Sequence, residues 1–210
     1  MRVAVTSSLP DALAERLRAL GHDVAVCPLI AIEPLGDGPV DVEGYDWVVV
    51  TSVHGARELR RRLRGAPRRV AAIGAATAEA FGGADLIPAV STQEGLLAEL
   101  PQPAGRVLFA GAEGARQLLA AELGADVVPL YRTRELRPER FPEADLVVLA
   151  SASAAWAYAA LGLDVPAVSI GPETTRAARE AGIAVAAEAT THDLDGLVAA
   201  VEAAARQSGA

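Results

Sequence analysis

Asp46-Trp-Val-Val-Val-Thr-Ser52 and Asp145-Leu-Val-Val-Leu-Ala-Ser151 carry the fold between them. Each is an acidic residue, then a run of large apolar side chains, then a small residue and a serine. A strand covered on one face alternates apolar and polar positions, whereas a strand covered on both faces reads as a continuous apolar run, the pattern of a parallel sheet between helix layers. Between such runs lie stretches whose Leu and Ala recur at helical spacing, as Leu13, Leu17 and Leu20 do. Strands alternating with helices give an α/β fold.

Working outward from these runs, the chain repeats itself at an offset of about one hundred residues. Arg2-Val-Ala-Val, a helix ending Leu20-Gly21 and Val24 to Pro28-Leu29 have counterparts in Arg106-Val-Leu-Phe, a helix ending Leu123-Gly124 and Val127 to Pro129-Leu130. Ala72-Ile-Gly-Ala-Ala-Thr77 matches Ser169-Ile-Gly-Pro-Glu-Thr174, and Glu94-Gly-Leu-Leu matches Asp195-Gly-Leu-Val. The expected strands are 2–6, 23–30, 46–50, 70–73 and 85–87, then 106–109, 126–133, 145–149, 167–170 and 184–187, in two small parallel sheets produced by an internal duplication. Residues 28–43, with Pro34, Gly36, Gly38 and Pro39, and their counterpart 129–143 read as linkers. Because these linkers fall inside the repeats, lobe one is expected to combine 1–32 with 136–210, and lobe two to comprise 36–128.

Composition narrows the chemistry. Hydrophobic residues make up 51% of the 210 positions, enough for one large core or two small ones. Nineteen basic against 27 acidic residues give a net charge of −8, which supplies no field for a nucleic-acid backbone. Every basic residue is Arg, and the absence of Lys excludes a Schiff-base lysine, a pyridoxal-phosphate lysine and a Walker-type phosphate loop. A single cysteine, Cys27, and scattered His22, His54 and His192 have no metal-ligand spacing. Aromatic residues are 4%, too few for stacking platforms. The N-terminus reads as a strand without the features of a signal peptide, and no apolar run has membrane-spanning length. The expectation is a cytoplasmic monomer with no cofactor or metal, binding neither nucleic acid nor membrane.

In open parallel sheets ligands bind beyond the carboxyl ends of the strands, where loops enter helix N-termini. Those places here hold Thr6-Ser7-Ser8, Thr51-Ser52, Gly74 to Thr77, Ala110-Gly111, Ser151 to Ser153, Gly171 to Thr175, Ser91-Thr92 and Thr190-Thr191. Small hydroxyl residues and glycines at the positive ends of helix dipoles suit carboxylate or phosphate oxygens. Each Ser or Thr is equally suited to be a helix N-cap, and only their repetition favours a ligand. Tyr131, at a strand end, offers a phenolic proton or simple packing, with Arg132 and Arg134 nearby to guide carboxylates or sit in solvent. The cluster Arg57, Arg60, Arg61, Arg62, Arg64, Arg68 and Arg69 reads mostly as a solvated face. Cys27 reads as an inert buried thiol, and His54 is a weak cleft candidate because its counterpart is Ser153.

Tyr45-Asp-Trp-Val-Val-Val-Thr-Ser52, Ile73-Gly-Ala-Ala-Thr-Ala78, Val128-Pro-Leu-Tyr-Arg-Thr133, Ser169-Ile-Gly-Pro-Glu-Thr-Thr-Arg176 and Ala187-Glu-Ala-Thr-Thr, in this order and spacing, resemble the uroporphyrinogen-III synthase family. The resemblance covers nearly the full chain, and its specificity lies in the order of the pieces. It implies two α/β lobes joined by a two-stranded ladder, and cyclisation of hydroxymethylbilane to uroporphyrinogen III with inversion of the last pyrrole ring, without cofactor or metal. It further implies that Thr51, Ser52, Thr77, Ser151, Gly171, Thr174 and Thr175 bind the polycarboxylate substrate and that Tyr131 is the acid for water loss. Where many bacterial relatives carry Arg, this chain has Ser7 and Ala110, which implies fewer fixed charges for the substrate's carboxylates. A non-catalytic two-lobed binder of a small polyanion remains the alternative. A nucleotide or flavin enzyme is disfavoured by the missing Gly-x-Gly-x-x-Gly pattern.

Overall fold

The structure, a computed structural model, describes residues 1–7 and 11–208. Ser8, one of the hydroxyl residues singled out above, lies outside the described residues. In chain order the elements are β1 (Arg2–Val5), α1 (Asp11–Ala19), β2 (Asp23–Val26), β3 (Ile30–Pro34), β4 (Val40–Asp41), β5 (Trp47–Val50), α2 (Val53–Arg62), β6 (Leu63–Arg64), β7 (Val70–Ala72) and α3 (Ala75–Phe81). They continue with α4 (Gln93–Glu99), β8 (Val107–Ala112), α5 (Leu118–Leu123), β9 (Asp126–Glu135), β10 (Leu146–Leu149), α6 (Ala152–Ala159), β11 (Ala167–Ser169), α7 (Pro172–Glu180), β12 (Val185–Glu188) and α8 (Leu194–Ser208). Two compact units result, one of Met1–Ala31 with Arg134–Ala210 and the other of Ile32–Thr133. No described helix is long and apolar enough to cross a membrane.

The first unit is built on a sheet in the order β12-β11-β10-β1-β2, with every neighbouring pair parallel. The chain steps one way from β1 to β2 and the other way from β10 to β12, so its direction reverses between β1 and β10. That reversal puts helices on both faces. Val3, Val5, Leu146 and Val148 pack under α1 and α8, while Ala4, Val147 and Leu149 pack under α6 and α7. Alternate residues of a strand point to opposite faces, and both faces are covered, which is why all four residues of β10 are apolar and buried.

The second unit has the order β3-β9-β8-β5-β7, extended beyond β7 by a parallel bridge between Ala71 and Leu86. Here the reversal falls between β5 and β8. Val48, Val50 and Leu108 pack with α2 and α3, whereas Trp47, Val49 and Phe109 pack with α4 and α5. Repeated residues do matching jobs in the two units. The Asp46 carboxylate accepts the main-chain N–H of Arg106 at 2.9 Å, and Asp145 accepts that of Arg2 at 2.8 Å. Gly95 in α4 and Gly196 in α8 have no room for a side chain, because a Cβ would lie 2.1 Å from the Val90 carbonyl oxygen and 2.0 Å from that of Thr191, respectively.

Several strand and linker boundaries differ from expectation. Residues 23–30 do not form one strand: β2 stops at Val26 and β3 begins at Ile30, because Pro28 brings no N–H to continue a ladder. The linkers 28–43 and 129–143 are partly strand, since β3 and β4 lie within the first and β9 runs through to Glu135 in the second. Residues 85–87 supply one bridge and no strand. The Arg cluster is mostly a solvated face as expected, with Arg57, Arg60, Arg61, Arg64, Arg68 and Arg69 exposed, although several of these side chains also hold partners. The Arg62 side chain is 10% exposed, and its guanidinium donates to the carbonyls of Leu35 at 3.0 Å and Gly38 at 2.7 Å. Arg61 pairs with Glu58 and Asp37, Arg68 with Asp46, and Arg69 stacks 4.4 Å over the Trp47 ring.

Candidate functional site

Within the second unit, the residues singled out by sequence converge where the chain reverses between β5 and β8. Ser52 follows β5 and caps α2, its extended backbone presenting Oγ to the Gly55 N–H at 3.0 Å. Gly55 packs closely at this corner: a Cβ there would lie 3.0 Å from Ser52 Oγ and in van der Waals contact, at 3.6 Å, with the Ala110 carbonyl oxygen and the Gly111 Cα. The first turn of α2 therefore lies directly on the end of β8. Thr51, half-buried beside it, has its Oγ1 within 3.8 Å of where a Gly111 Cβ would stand.

Tyr131 reaches this corner through an irregularity in β9. Gly111 pairs with Pro129, but Ala112 pairs with Tyr131, so Leu130 is an extra residue in the ladder. The strict alternation of faces breaks at that point, and Leu130 and Tyr131, although consecutive, are both buried in the same core cluster. Two backbone bonds fix the distortion, from Leu35 N–H to the Leu130 carbonyl at 2.8 Å and from Glu113 N–H to the Tyr131 carbonyl at 2.7 Å. The outcome is a Tyr131 side chain that is 7% exposed with its hydroxyl 2.8 Å from Ser52 Oγ. Burial pushes the phenol above its ordinary pKa, and the hydrogen bond with Ser52 pulls it partly back. The phenol thus stays protonated throughout the neutral range.

His54, a weak candidate by sequence, belongs to this group. Its ring centroid lies 6.0 Å from that of Tyr131 at a tilt of 59°. Burial, and secondarily the charge of Arg57, lower its pKa, so the imidazole beside the phenol is neutral at physiological pH. Thr77, in the first turn of α3, is 5% exposed within the same unit. Ala110 is wholly buried in β8 among core residues, so that place offers no charge to a ligand. Arg132 is paired with Glu33 at 2.9 Å.

In the first unit the corresponding corner carries Ser151, Gly171, Thr174 and Thr175. Ser151 caps α6 by accepting the Ala154 N–H at 3.1 Å, and its Oγ lies 3.1 Å from that of Ser153. Ile30 stands at the place in the repeat that Tyr131 occupies in the other, so no phenol accompanies Ser151. Gly171 precedes Pro172 at the start of α7 and sits against His192: a Cβ would come within 2.7 Å of the ring. Thr174 and Thr175 are 4% and 5% exposed. The Thr175 hydroxyl is already engaged, donating to Glu188 and lying 2.5 Å from Ser169 Oγ, which must therefore donate to it. Cys27 is a partly buried thiol whose pKa is raised by burial, which suits packing and not nucleophilic attack.

A family model described as "Uroporphyrinogen-III synthase HemD" matches residues 11–199. The chain belongs to the uroporphyrinogen-III synthase family. Its role is in tetrapyrrole biosynthesis. A protein of Synechococcus elongatus named uroporphyrinogen-III synthase is 29% identical, over 93% of this chain and 91% of that one. Among solved structures, a mutant uroporphyrinogen III synthase of Thermus thermophilus superposes with a TM-score of 0.65 at 20% identity, covering 99% of each chain. Uroporphyrinogen-III synthetase of Helicobacter pylori superposes with a TM-score of 0.66 at 16% identity, covering 96% of this chain and 99% of that one. These structural likenesses establish the α/β fold with parallel sheets.

Proposed function

We propose that this member of the uroporphyrinogen-III synthase family closes hydroxymethylbilane to uroporphyrinogen III with inversion of ring D. The observation that carries the reading is the buried Tyr131 hydroxyl held 2.8 Å from Ser52 Oγ beyond the carboxyl end of β5, where ligands of open α/β sheets bind. Tyr131 donates its proton as hydroxide leaves the hydroxymethyl carbon of ring A, so that water departs and a delocalised carbocation remains. The substituted α-carbon of ring D attacks that carbon to give a spiro intermediate. The bond from ring D to its original bridging carbon then breaks, the released carbon bonds to the other α-carbon of ring D, and the ring proton lost on rearomatisation restores the phenol. The sum is one substrate in, one product and one water out.

The same reading has Thr51, Ser52 and Thr77 in one unit and Ser151, Gly171, Thr174 and Thr175 in the other meet the substrate's carboxylates, mainly through main-chain N–H groups at helix starts. Thr175 is the exception: its hydroxyl serves Glu188 and Ser169 and its N–H donates to the Gly171 carbonyl at 2.9 Å, so its part is to shape the turn through which its neighbours bind. The protein acts as a cytoplasmic monomer, without cofactor, metal or nucleic acid. The two halves descend from one duplicated unit, a view supported by the matching order β12-β11-β10-β1-β2 and Leu86-β7-β5-β8-β9.

Incubation with hydroxymethylbilane and separation of the product isomers tests the proposal. Isomer III in excess is expected. Isomer I alone, the product of unassisted closure, would leave only a binder of polyanions.

A further inference from the structure

Ser52 Oγ has one proton and two lone pairs, and the structure assigns one lone pair to the Gly55 N–H at 3.0 Å. What remains is a contact of 2.8 Å with Tyr131 Oη in which either oxygen can be the donor. If Tyr131 donates, its proton is held by Ser52 and is withheld from any substrate. If Ser52 donates, the phenolic proton points away from Ser52, and the phenolate that forms when it leaves keeps a hydrogen bond.

We propose that Ser52 is the positioning residue of Tyr131, donating its hydroxyl proton to Oη in a chain that runs from the Gly55 N–H through Ser52 Oγ–H to the phenol. This deepens the proposed role of Tyr131 as general acid and rests on it. The chain begins at the N-terminal turn of α2, a helix of ten residues whose dipole is positive at that end. Hydrogen bonds in series polarise one another, so a donor held by the helix start becomes a better donor to the phenol. Burial raises the cost of phenolate at Tyr131, and the Ser52 bond acts in the opposite direction. Gly55 and the bulge at Leu130 bring the two ends of the chain within reach, and among the described residues Ser52 alone hydrogen-bonds to the Tyr131 hydroxyl. Ser151, which caps α6 in the same way, has Ser153 as its neighbour and no phenol to orient.

The direction of the bond is readable without substrate. The protein has three tyrosines, and labelling their ring carbons with carbon-13 gives resonances in which Tyr131 is identified by its loss in Tyr131→Phe. A hydrogen bond to the charged form lowers a phenol pKa, whereas one from the neutral form raises it. Ser52→Ala is therefore expected to raise the Tyr131 pKa by about one unit or more, and Ser52→Thr, which keeps the donor, to hold it at the wild-type value. Ser52→Gly, which weakens the cap less than Ala does, serves if Ser52→Ala does not fold. A pKa that falls or stays unchanged without the hydroxyl would overturn the assignment, as would a rise that Ser52→Thr shares. Failure of the wild-type protein to make isomer III would instead count against the proposed reaction, leaving the titration as an independent result.

Discussion

Replacing Tyr131 by Phe removes one oxygen and keeps the ring, so its consequences can be worked from the site. The Oη makes a hydrogen bond of 2.8 Å with Ser52, while Ser52 retains its bond from Gly55. Loss of one such bond costs about 1 kcal/mol. For a chain of this size that is a fall of about 2–4 °C in Tm, so the variant remains folded. General-acid assistance contributes roughly 10²–10⁴-fold, and a hydroxide leaving an electron-rich pyrrole needs the lower end of it. Turnover is therefore expected to drop about 10–10²-fold, or about 1.4–2.7 kcal/mol in the barrier, with KM little changed because the interaction strengthens only in the transition state. Product analysis should still give isomer III, since folding of the substrate and not the proton selects the isomer. The pH dependence supplies a second readout. Burial holds the phenol above its ordinary pKa, so the wild-type protein keeps its acid through neutral pH and loses activity only on the far alkaline side, a limb that Tyr131→Phe should lack. Undiminished turnover in folded Tyr131→Phe, measured by single-turnover kinetics where chemistry limits the rate, would refute the acid role and leave positioning as the whole of catalysis.

Thr77→Ala and Thr174→Ala, at 5% and 4% exposure, should each weaken substrate binding by on the order of 1 kcal/mol without altering the isomer, because backbone N–H groups share the load; calorimetric titration or KM is the check, and complete loss of activity in a folded variant would contradict a distributed site. Thr175→Val strands the buried Ser169 hydroxyl and removes a donor from Glu188, and urea unfolding should show a loss of about 1–3 kcal/mol, an unchanged midpoint being the contrary result. Asp145, held down to about 2 chiefly by hydrogen bonds from Arg2, favours the folded state above the ordinary carboxylate pKa, and this contribution fades as pH falls from there toward 2. Urea midpoints compared across that acid range should therefore converge between wild type and Asp145→Asn as the pH drops, and a gap that persists at the acid end would speak against it.

The chemistry of each strand was legible because burial on two faces demands unbroken apolar runs, and Trp47–Val50 and Leu146–Leu149 obey that demand locally. Ser52 and Ser151 were equally legible as caps, since a hydroxyl after a strand and before a helical stretch satisfies an N–H that the helix itself cannot. The pairing of Gly95 with Gly196 was visible as a repeat, but its reason, a carbonyl oxygen in the space of a side chain, emerges only in three dimensions. Boundaries in 28–43 were misjudged because Pro and Gly signal a break in the ladder without saying whether a strand resumes after it, as β3 does at Ile30.

Sequence by itself determined the α/β class, the helix starts and the identity of the chemically able residues, all of which depend on neighbours a few positions away. Tertiary structure decided what those residues do. The extra residue at Leu130 turns Tyr131 inward and sets it against Ser52, a partner 79 positions distant. The same long-range packing brought His54 beside the phenol, engaged Thr175 with Glu188 and drew Arg62 into the loop carbonyls. A side chain's partner across a sheet depends on strand register, and register depends on how all the strands pack together, so no local pattern in the chain records it.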